Sequence, residues 1–276
     1  MSRADAETKR ILVTVKASPE PSTKYRTSVC VAGITTDREW IRLYPVPLAE
    51  IMKKDIPRYS WIEAECYKDT HHDQRKESYK IVPDSIRIVE SPRKKSGMVD
   101  WDYRNEWILP LLSNSMADLE RKRKEDNTSL GLIKPVEVRK FFMDPSSDNG
   151  DENYSNEVQL LLTGSDAVPV MQKTPHPYKY EFTCASCAAG ECTSTKKHSI
   201  VCIDWELGEA YRSWKDSYTN PDVLQSKISD KFFNDMLTNN DLYFYMGTHY
   251  RFKKWMIIGL YYPQKKKNAT LADFNL

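Results

Sequence analysis

A cluster of three cysteines and one histidine between residues 184 and 198 constrains this chain more than any other feature. The spacing is C-x2-C-x4-C-x5-H, formed by Cys184, Cys187, Cys192 and His198. Thiolates and an imidazole in this number are the ligands that tetrahedral zinc prefers. The two-residue gap allows the first two thiols to bind one ion from a tight turn, and Gly190 gives the backbone freedom to bring back the third. The sequence therefore predicts a zinc site in a short turn.

Other interpretations of the thiols stay open. Cys202 lies four residues beyond His198, so it could join the three clustered thiols around an iron–sulfur cluster, although the spacing matches no ferredoxin pattern. Cys202 also lies in the apolar run Ile200–Ile203, where a small buried thiol is the simpler interpretation. A redox Cys-x-x-Cys pair lacks its usual context of a strand followed by a helix. Zinc is the cofactor that the ligand types favour.

Length and composition favour an intracellular protein without a membrane span. The chain has 276 residues, six cysteines and a net charge of +2. No stretch approaches the ~20 apolar residues of a membrane-spanning helix, and the charged segment 1–10 lacks the apolar core of an export signal. We therefore expect a reduced, cytoplasmic protein, which favours metal over disulfides for the clustered thiols. Because the net charge is small, an anionic partner would have to bind to a local patch of positively charged side chains.

The distribution of apolar residues predicts an α+β fold in two units. Residues 1–143 are predicted as an N-terminal β-rich unit, a small antiparallel sheet or barrel with a helical insertion that begins at Trp101. Residues 144–156 are polar and acidic, which is typical of a linker. Residues 157–276 are predicted as a C-terminal α+β unit that contains the zinc-stapled turn. The N-terminal strands are expected at residues 11–16, 27–34, 39–44, 61–67, 85–89 and 136–142.

The C-terminal unit is predicted to combine strands with two helices. Its strands are expected at residues 157–162, 178–183, 242–246 and 255–262. One helix is expected over residues 200–214, and a second from Asn220, where the following Pro221 suits a first helical position. The strand at 178–183 leads directly into the Cys/His cluster, so a bound zinc ion would staple the junction between sheet and helices.

Cations interleaved with aromatic residues surround the last hairpin and the Cys/His cluster. The residues concerned are Lys196, Lys197, Tyr250, Arg251, Lys253 and Lys254. Aromatic rings stack on bases and cations contact phosphates, so this pattern indicates binding of RNA or DNA. The cluster resembles a zinc knuckle in compactness, but a knuckle has histidine as its third ligand and here it is the fourth. The alternative is that half of the aromatics face the core and the lysines keep a strand edge soluble.

Two further function classes stay open. Asp204, Glu206 and His249 could activate water or bind magnesium in a nuclease-like or base-modifying enzyme, although two acids at a helix start also favour the helix dipole. A zinc-stapled adaptor that binds a protein partner through its aromatic surface is equally compatible with the composition. The chain contains no Gly-rich phosphate loop, no G-x-S-x-G elbow and no H-E-x-x-H helix, which argues against P-loop NTPases, α/β-hydrolases and zincin proteases.

Several phrases resemble those of an uncharacterised group of bacterial and archaeal hypothetical proteins. The resemblance is spread over most of the chain and includes a Cys/His cluster followed by Asp-Trp-Glu at residues 204–206. It implies one protein-wide unit, and the chromosomal and mobile-element setting of the group suggests a nucleic-acid processing or defence system. No activity is known for the group. The phrases are Ile11–Lys16, Trp40–Pro45, Ser129–Pro135, His198 with Asp204–Glu206, Tyr243–Gly247 and Gly259–Pro263.

Overall fold

The computed structural model describes residues 5–22, 26–146, 174–192, 196–250 and 252–265. Its strands form two large sheets with helices between and beside them, so the predicted α+β class is confirmed. Most of the predicted linker 144–156, the predicted strand 157–162 and Arg251 lie outside the described residues. No helix of the described part is long and apolar enough to cross a membrane.

Five N-terminal strands close into a barrel. They are β1 (Glu7–Lys16), β3 (Arg26–Thr35), β4 (Trp40–Pro47), β5 (Trp61–Tyr67) and β6 (Ser78–Ile81). The order is β1-β3-β4-β6-β5, and β5 returns to pair with β1; β4 and β6 are parallel and the other pairs antiparallel. The short strand β2 (Glu20–Ser22) extends β3, and β7 (Arg87–Glu90) extends β5. Helix α1 (Leu48–Lys54) connects β4 to β5. This connectivity is that of an OB-fold barrel.

Alternation of side chains explains why the strands close. Apolar residues at every second position of the paired strands point into one shared interior, since neighbouring side chains of a strand face opposite sides. Closure also removes free edges that would otherwise invite association with other chains. The buried interior includes Ile11, Val13, Val29, Val31, Ile41, Leu43, Ile62 and Ala64.

Gly33→Ala is expected to destabilise the barrel by about 1–3 kcal/mol, as overpacking of a filled interior typically does. A Cβ atom at Gly33 would lie 2.4 Å from the carbonyl oxygen of Leu12 and 2.6 Å from the Cγ2 atom of Ile11. The first is backbone and cannot move aside cheaply. Urea unfolding measures the loss. Gly208→Ala is the control, because its Cβ meets only the flexible guanidinium of Arg212 at 3.2 Å; an equal loss in both variants would contradict the argument.

The second sheet has six strands. They are β10 (Leu130–Ile133), β11 (Glu137–Met143), β12 (Tyr178–Thr183), β13 (His198–Cys202), β14 (Tyr243–Thr248) and β15 (Trp255–Tyr261). The order is β10-β14-β15-β13-β12-β11, and of the described pairs in this sheet only β13–β15 is parallel. The sheet thus takes strands from both sides of the predicted boundary at residue 143. A separate small hairpin pairs β8 (Lys94–Lys95) with β9 (Met98–Val99).

The helices after α1 follow the barrel strands in the chain. The bounds are α2 (Trp101–Ile108), α3 (Met116–Asp126), α4 (Ala185–Ala188), α5 (Trp205–Trp214), α6 (Pro221–Ser229) and α7 (Met236–Thr238). Helix α2 packs on β5 of the barrel, and α5 and α6 pack on the second sheet. A 3-10 turn at 109–111 follows α2, and a π-helical segment at 230–235 joins α6 to α7. The predicted start at Asn220 is confirmed, because its side chain accepts hydrogen bonds from the backbone N–H groups of Asp222 and Val223.

The helix predicted over residues 200–214 is wrong in its first part. Residues 198–202 form strand β13, and the helix begins only at Trp205 after its cap Asp204. The apolar run Ile200–Ile203 supplies β-branched residues that favour a strand. Pairing with β12 on one side and β15 on the other decides the conformation.

The barrel and the second sheet share one core. Val15 and Tyr59 of the barrel side pack with Leu130, Tyr245 and Tyr261 of the second sheet. This packing brings the described part of the loop between β14 and β15, residues 249, 250 and 252–254, against the barrel face formed by β3 and β4. We call these residues the hairpin loop.

Candidate functional site

The four predicted metal ligands come from two strands and a tight turn between them. Cys184 follows β12 and caps α4, a helix of only four residues that carries Cys187. Gly190 adopts a φ of 74°, which lets the chain reverse and present Cys192. His198 is the first residue of β13, which pairs with β12. The sheet therefore fixes the two ends of this segment, which we call the Cys/His turn.

The ligand atoms have the separations of a tetrahedral zinc site. All four lie within 4.8 Å of one another. The Sγ atom of Cys184 is 3.7 Å from that of Cys187, 3.5 Å from that of Cys192 and 3.3 Å from Nε2 of His198. Zn–S bonds of about 2.3 Å and Zn–N bonds of about 2.0 Å give tetrahedral edges of roughly 3.5–3.8 Å. These four residues could therefore hold a metal ion such as zinc.

The surroundings of the Cys/His turn suit an enclosed metal. Cys184 and Cys187 are buried in the core, and the backbone N–H of Cys184 donates to the Sγ atom of Cys187. Burial lowers the pKa of His198, which favours the neutral imidazole that binds metals. Burial raises the pKa of Cys192, and its neighbouring thiols add to this effect, so in this protein the thiolates need a cation as counter-charge. Four protein ligands leave no open position, as in structural zinc sites.

Cys202 lies apart from this group. It is the last residue of β13, is 5% exposed, and does not belong to the set of four ligands. Burial raises its pKa well above the usual range, as expected for an inert thiol in the core. The geometry therefore favours His198 over Cys202 as the fourth ligand.

Asp204 and Glu206, two of the predicted catalytic residues, are engaged in structural contacts. Asp204 caps α5 and also accepts a hydrogen bond from the backbone N–H of Leu260. Arg58 lies 3.6 Å from Asp204 and 3.0 Å from Glu206. The Glu206 carboxylate also accepts a hydrogen bond from the hydroxyl of Tyr262. His249, the third predicted residue, lies in the hairpin loop and lines a cavity to which neither acid contributes.

That cavity, of about 530 Å³, lies between the barrel face and the hairpin loop. Its walls come from the β1–β2 connection, β3, β4, the β5–β6 connection and the hairpin loop, with Ser18, Cys30, Arg42, Arg75 and Tyr250 as representatives. We call it the barrel-face cavity. A second cavity of about 460 Å³ adjoins it and adds two cations, Arg123 and Lys253. Both cavities share Arg75, Thr248, His249 and Tyr250.

Arg42 is a buried cation on the wall of the barrel-face cavity. It is 2% exposed, and burial lowers its pKa. Its guanidinium donates to the carbonyl oxygen of Ser129 at 2.7 Å and to that of Thr248 at 3.3 Å. Its Nε atom has no hydrogen-bond partner within the described part of the chain. Sequence reasoning missed this residue, because an arginine in an alternating strand is ordinarily assigned to the solvent side.

Arg75 connects the barrel to the hairpin loop. Its guanidinium lies 5.8 Å from the ring centroid of Tyr44 and 5.6 Å from that of Tyr250. It also pairs with Asp73 at 2.7 Å and donates to the carbonyl oxygen of Thr248 at 3.0 Å. The result is a cation held between two rings, an arrangement in which both rings stay oriented.

The predicted nucleic-acid-binding residues lie at one end of the second sheet. Tyr250, Lys253 and Lys254 are exposed in the hairpin loop. Lys196 and Lys197 are exposed just before β13, and because β13 runs parallel to β15 they lie at the same end. Lys197 forms an ion pair with Glu181 at 2.8 Å.

Comparisons with known proteins give a family without a known activity. A family model described as a domain of unknown function (DUF8757) matches residues 112–275, and a second (DUF8758) matches residues 7–110. The expected membership of an uncharacterised group is therefore confirmed. No curated protein matches the sequence. A murine DNA-binding protein bound with double-stranded DNA is similar in structure at 9% identity and a TM-score of 0.31, covering 96% of this chain and 99% of that one; a likeness this weak carries no argument.

Proposed function

This chain belongs to the family of the domain of unknown function DUF8757, and we propose that it is a zinc-containing protein that binds single-stranded nucleic acid. The observation that carries the proposal is the meeting of the β3–β4 barrel face with the aromatic and basic hairpin loop. In barrels of this connectivity the same face and the adjoining loops bind oligonucleotides in many proteins. Because a fold alone does not imply a function, the proposal also needs side chains at this face that can contact bases and phosphates.

The side chains at this surface have the two chemistries that single strands need. The rings of Tyr250 and Phe252 are 49% and 69% exposed, and large exposed rings offer stacking surfaces to unpaired bases. His249 stacks on Phe252 with 4.8 Å between ring centroids. Lys253 and Lys254 are exposed beside them and can contact phosphates. A local patch of this kind fits a chain whose net charge is only +2.

Zinc has a structural role in this proposal. The Cys/His turn joins β12 to β13, and β13 lies directly against β15, the strand that carries one end of the hairpin loop. A bound ion that fixes the turn therefore also supports the strand pair on which the loop rests. The cations Lys196 and Lys197 would extend the same surface.

We expect labelled single-stranded RNA or DNA to bind the zinc-loaded protein with an affinity that falls steeply with salt, in fluorescence anisotropy titrations. Lys253→Gln combined with Lys254→Gln should weaken binding at least tenfold at low salt. The slope of log K against log salt should fall by roughly 1.4, since each phosphate contact on a single strand contributes about 0.7. Double-stranded probes should bind more weakly, because their bases are not free to stack.

Lys94→Gln combined with Lys227→Gln is the matched control, because it removes the same charge from two exposed positions far from the hairpin loop in sequence. It should leave the slope unchanged. Equal effects of the two double variants would mean that net charge, not this surface, drives binding. Absence of binding to all probes would reject the proposal and favour a protein partner, whose binding need not depend steeply on salt.

A further inference from the structure

The barrel-face cavity is a concave site and not an open face, because the hairpin loop forms one of its walls. We infer that it holds one nucleotide unit: a phosphate against Arg42, a sugar hydroxyl on Glu20 and an unpaired base on the rings of the hairpin loop. The inference rests on the proposed function in that it names the part of a nucleic acid which enters this surface. A nucleotide unit of this kind can come from a free mononucleotide or from the phosphorylated end of a nucleic-acid strand.

Arg42 needs an anion that the described residues do not give it. A buried cation is costly unless it is paired, and its described partners are two backbone carbonyls, a hydroxyl and a thiol. The nearest carboxylates are committed elsewhere. Asp73 pairs with Arg75 at 2.7 Å, and Glu77 accepts from the backbone N–H and the hydroxyl of Ser129. A phosphate entering the cavity would supply the missing charge.

Glu20 supplies an acceptor on another wall of the same cavity. It belongs to β2 and its carboxylate lies close enough to Tyr44 that its charge raises the pKa of that hydroxyl, after the larger effect of burial. A carboxylate beside a phosphate site is a common partner for the hydroxyls of a nucleotide sugar. Because the Glu20 carboxylate is negative, it would repel a phosphate. The phosphate is therefore placed at Arg42 and the sugar hydroxyl at Glu20.

The rim of the cavity suits a base. Tyr250 and Phe252 line the cavity from the hairpin loop with large exposed rings, and the Arg75 guanidinium lies 5.6 Å from the centroid of the Tyr250 ring. The cavity volume of about 530 Å³ falls within the range of roughly 300–1,000 Å³ typical of small-molecule sites. Stacking on these exposed rings needs a base whose face is free, so the ligand is placed as an unpaired nucleotide.

Isothermal titration of the full-length zinc-loaded protein with AMP, GMP, CMP and UMP tests the inference, with the matching nucleosides as controls. At least one monophosphate should bind, and at least tenfold tighter than its nucleoside. Ser18→Tyr should abolish this binding by filling the cavity, since Ser18 lines it through a partly exposed side chain. Arg42→Lys should weaken the binding of monophosphates but not the binding of nucleosides. Arg42 also holds the backbone at Ser129 and Thr248, so if the Arg42→Lys variant does not fold, the result with Ser18→Tyr decides the test.

Oligonucleotides with a 5′-phosphate, a 3′-phosphate or neither separate the two sources. Tighter binding of a phosphorylated end, lost in Ser18→Tyr, assigns the site to strand ends, whereas mononucleotide binding without this preference assigns it to free nucleotides. Equal binding of monophosphate and nucleoside, no binding of either, or binding that survives Ser18→Tyr would overturn the inference. If the inference is overturned but oligonucleotides still bind, the proposed function stands. If mononucleotides bind and no oligonucleotide does, only the proposed function is rejected.

Discussion

Cys187→Ser is expected to release the bound zinc and to lower the free energy of unfolding by at least ~3 kcal/mol, because structural zinc contributes directly to folding. The variant leaves only three ligands, and the helix that carries position 187 has four residues, too few backbone hydrogen bonds to persist alone. Cys187 is 6% exposed in the core cluster that contains Phe182 and Leu119. Loss of the ion would therefore expose part of that core. Metal content by mass spectrometry and thermal unfolding measure the two effects, and a chelator should reproduce them in the unaltered chain.

Cys202→Ser is the matched control, because it changes a buried thiol on β13 without touching the ligand set. It should keep one metal per chain, and its cost should not exceed the ~1–3 kcal/mol of burying a hydroxyl without a partner. If Cys202→Ser loses the metal and His198→Ala retains it, the ligand set is wrong and the iron–sulfur alternative gains support.

The close approach of the three cysteines and the histidine could be predicted because their geometry is local. Four candidate ligands within fifteen residues limit how far apart the atoms can lie, and the turn at Gly190 closes the remaining distance. The β-rich N-terminal half could also be predicted, since strand alternation is a local signal. The choice between an open sheet and a closed barrel could not be made, because the β1–β5 and β4–β6 pairings join strands that are distant in the sequence.

The cavity and its arginines could not be predicted for the same reason. Arg42 occupies the outward face of β4, and only the packing of the second sheet against that face turns it into a buried position. The contacts of Arg75 could not be predicted either, because the two rings beside it belong to β4 and the hairpin loop, which are distant from it in the sequence. Residues 200–202 are predicted as helix but form part of a strand, because their pairing partners lie on β12 and β15, outside any local window.

Arg58→Met is expected to cost about 3–5 kcal/mol of stability, because it strips the counter-charge from a buried acid. The side chains of Arg58 and Asp204 are 6% and 2% exposed, and their charged atoms lie 3.6 Å apart. The guanidinium also lies 3.0 Å from Glu206 and donates to the carbonyl oxygens of Thr14 and Leu260. One of these carbonyls belongs to the barrel and the other to the second sheet. Urea unfolding of the variant measures how strongly this junction holds them together.

The cost should also depend on pH. Burial raises the pKa of Asp204 to about 6, and the Arg58 guanidinium opposes that shift. A carboxyl whose pKa is higher in the folded than in the unfolded chain contributes stability that is lost as the pH rises through the folded pKa. Without Arg58 that pKa rises further, so the penalty should be larger at about pH 8 than at about pH 5.

Arg121→Met is the control for Arg58→Met, because its ion pairs with Asp118 and Glu125 lie on the surface of α3, where the arginine side chain is 56% exposed. Exposed pairs contribute roughly 0–1 kcal/mol, and the cost of this variant should not change with pH between those two values. A similar small cost for Arg58→Met would mean that apolar packing alone joins the barrel to the second sheet. A large, pH-dependent cost would instead make the Arg58–Asp204 pair a contact that joins the barrel to the second sheet.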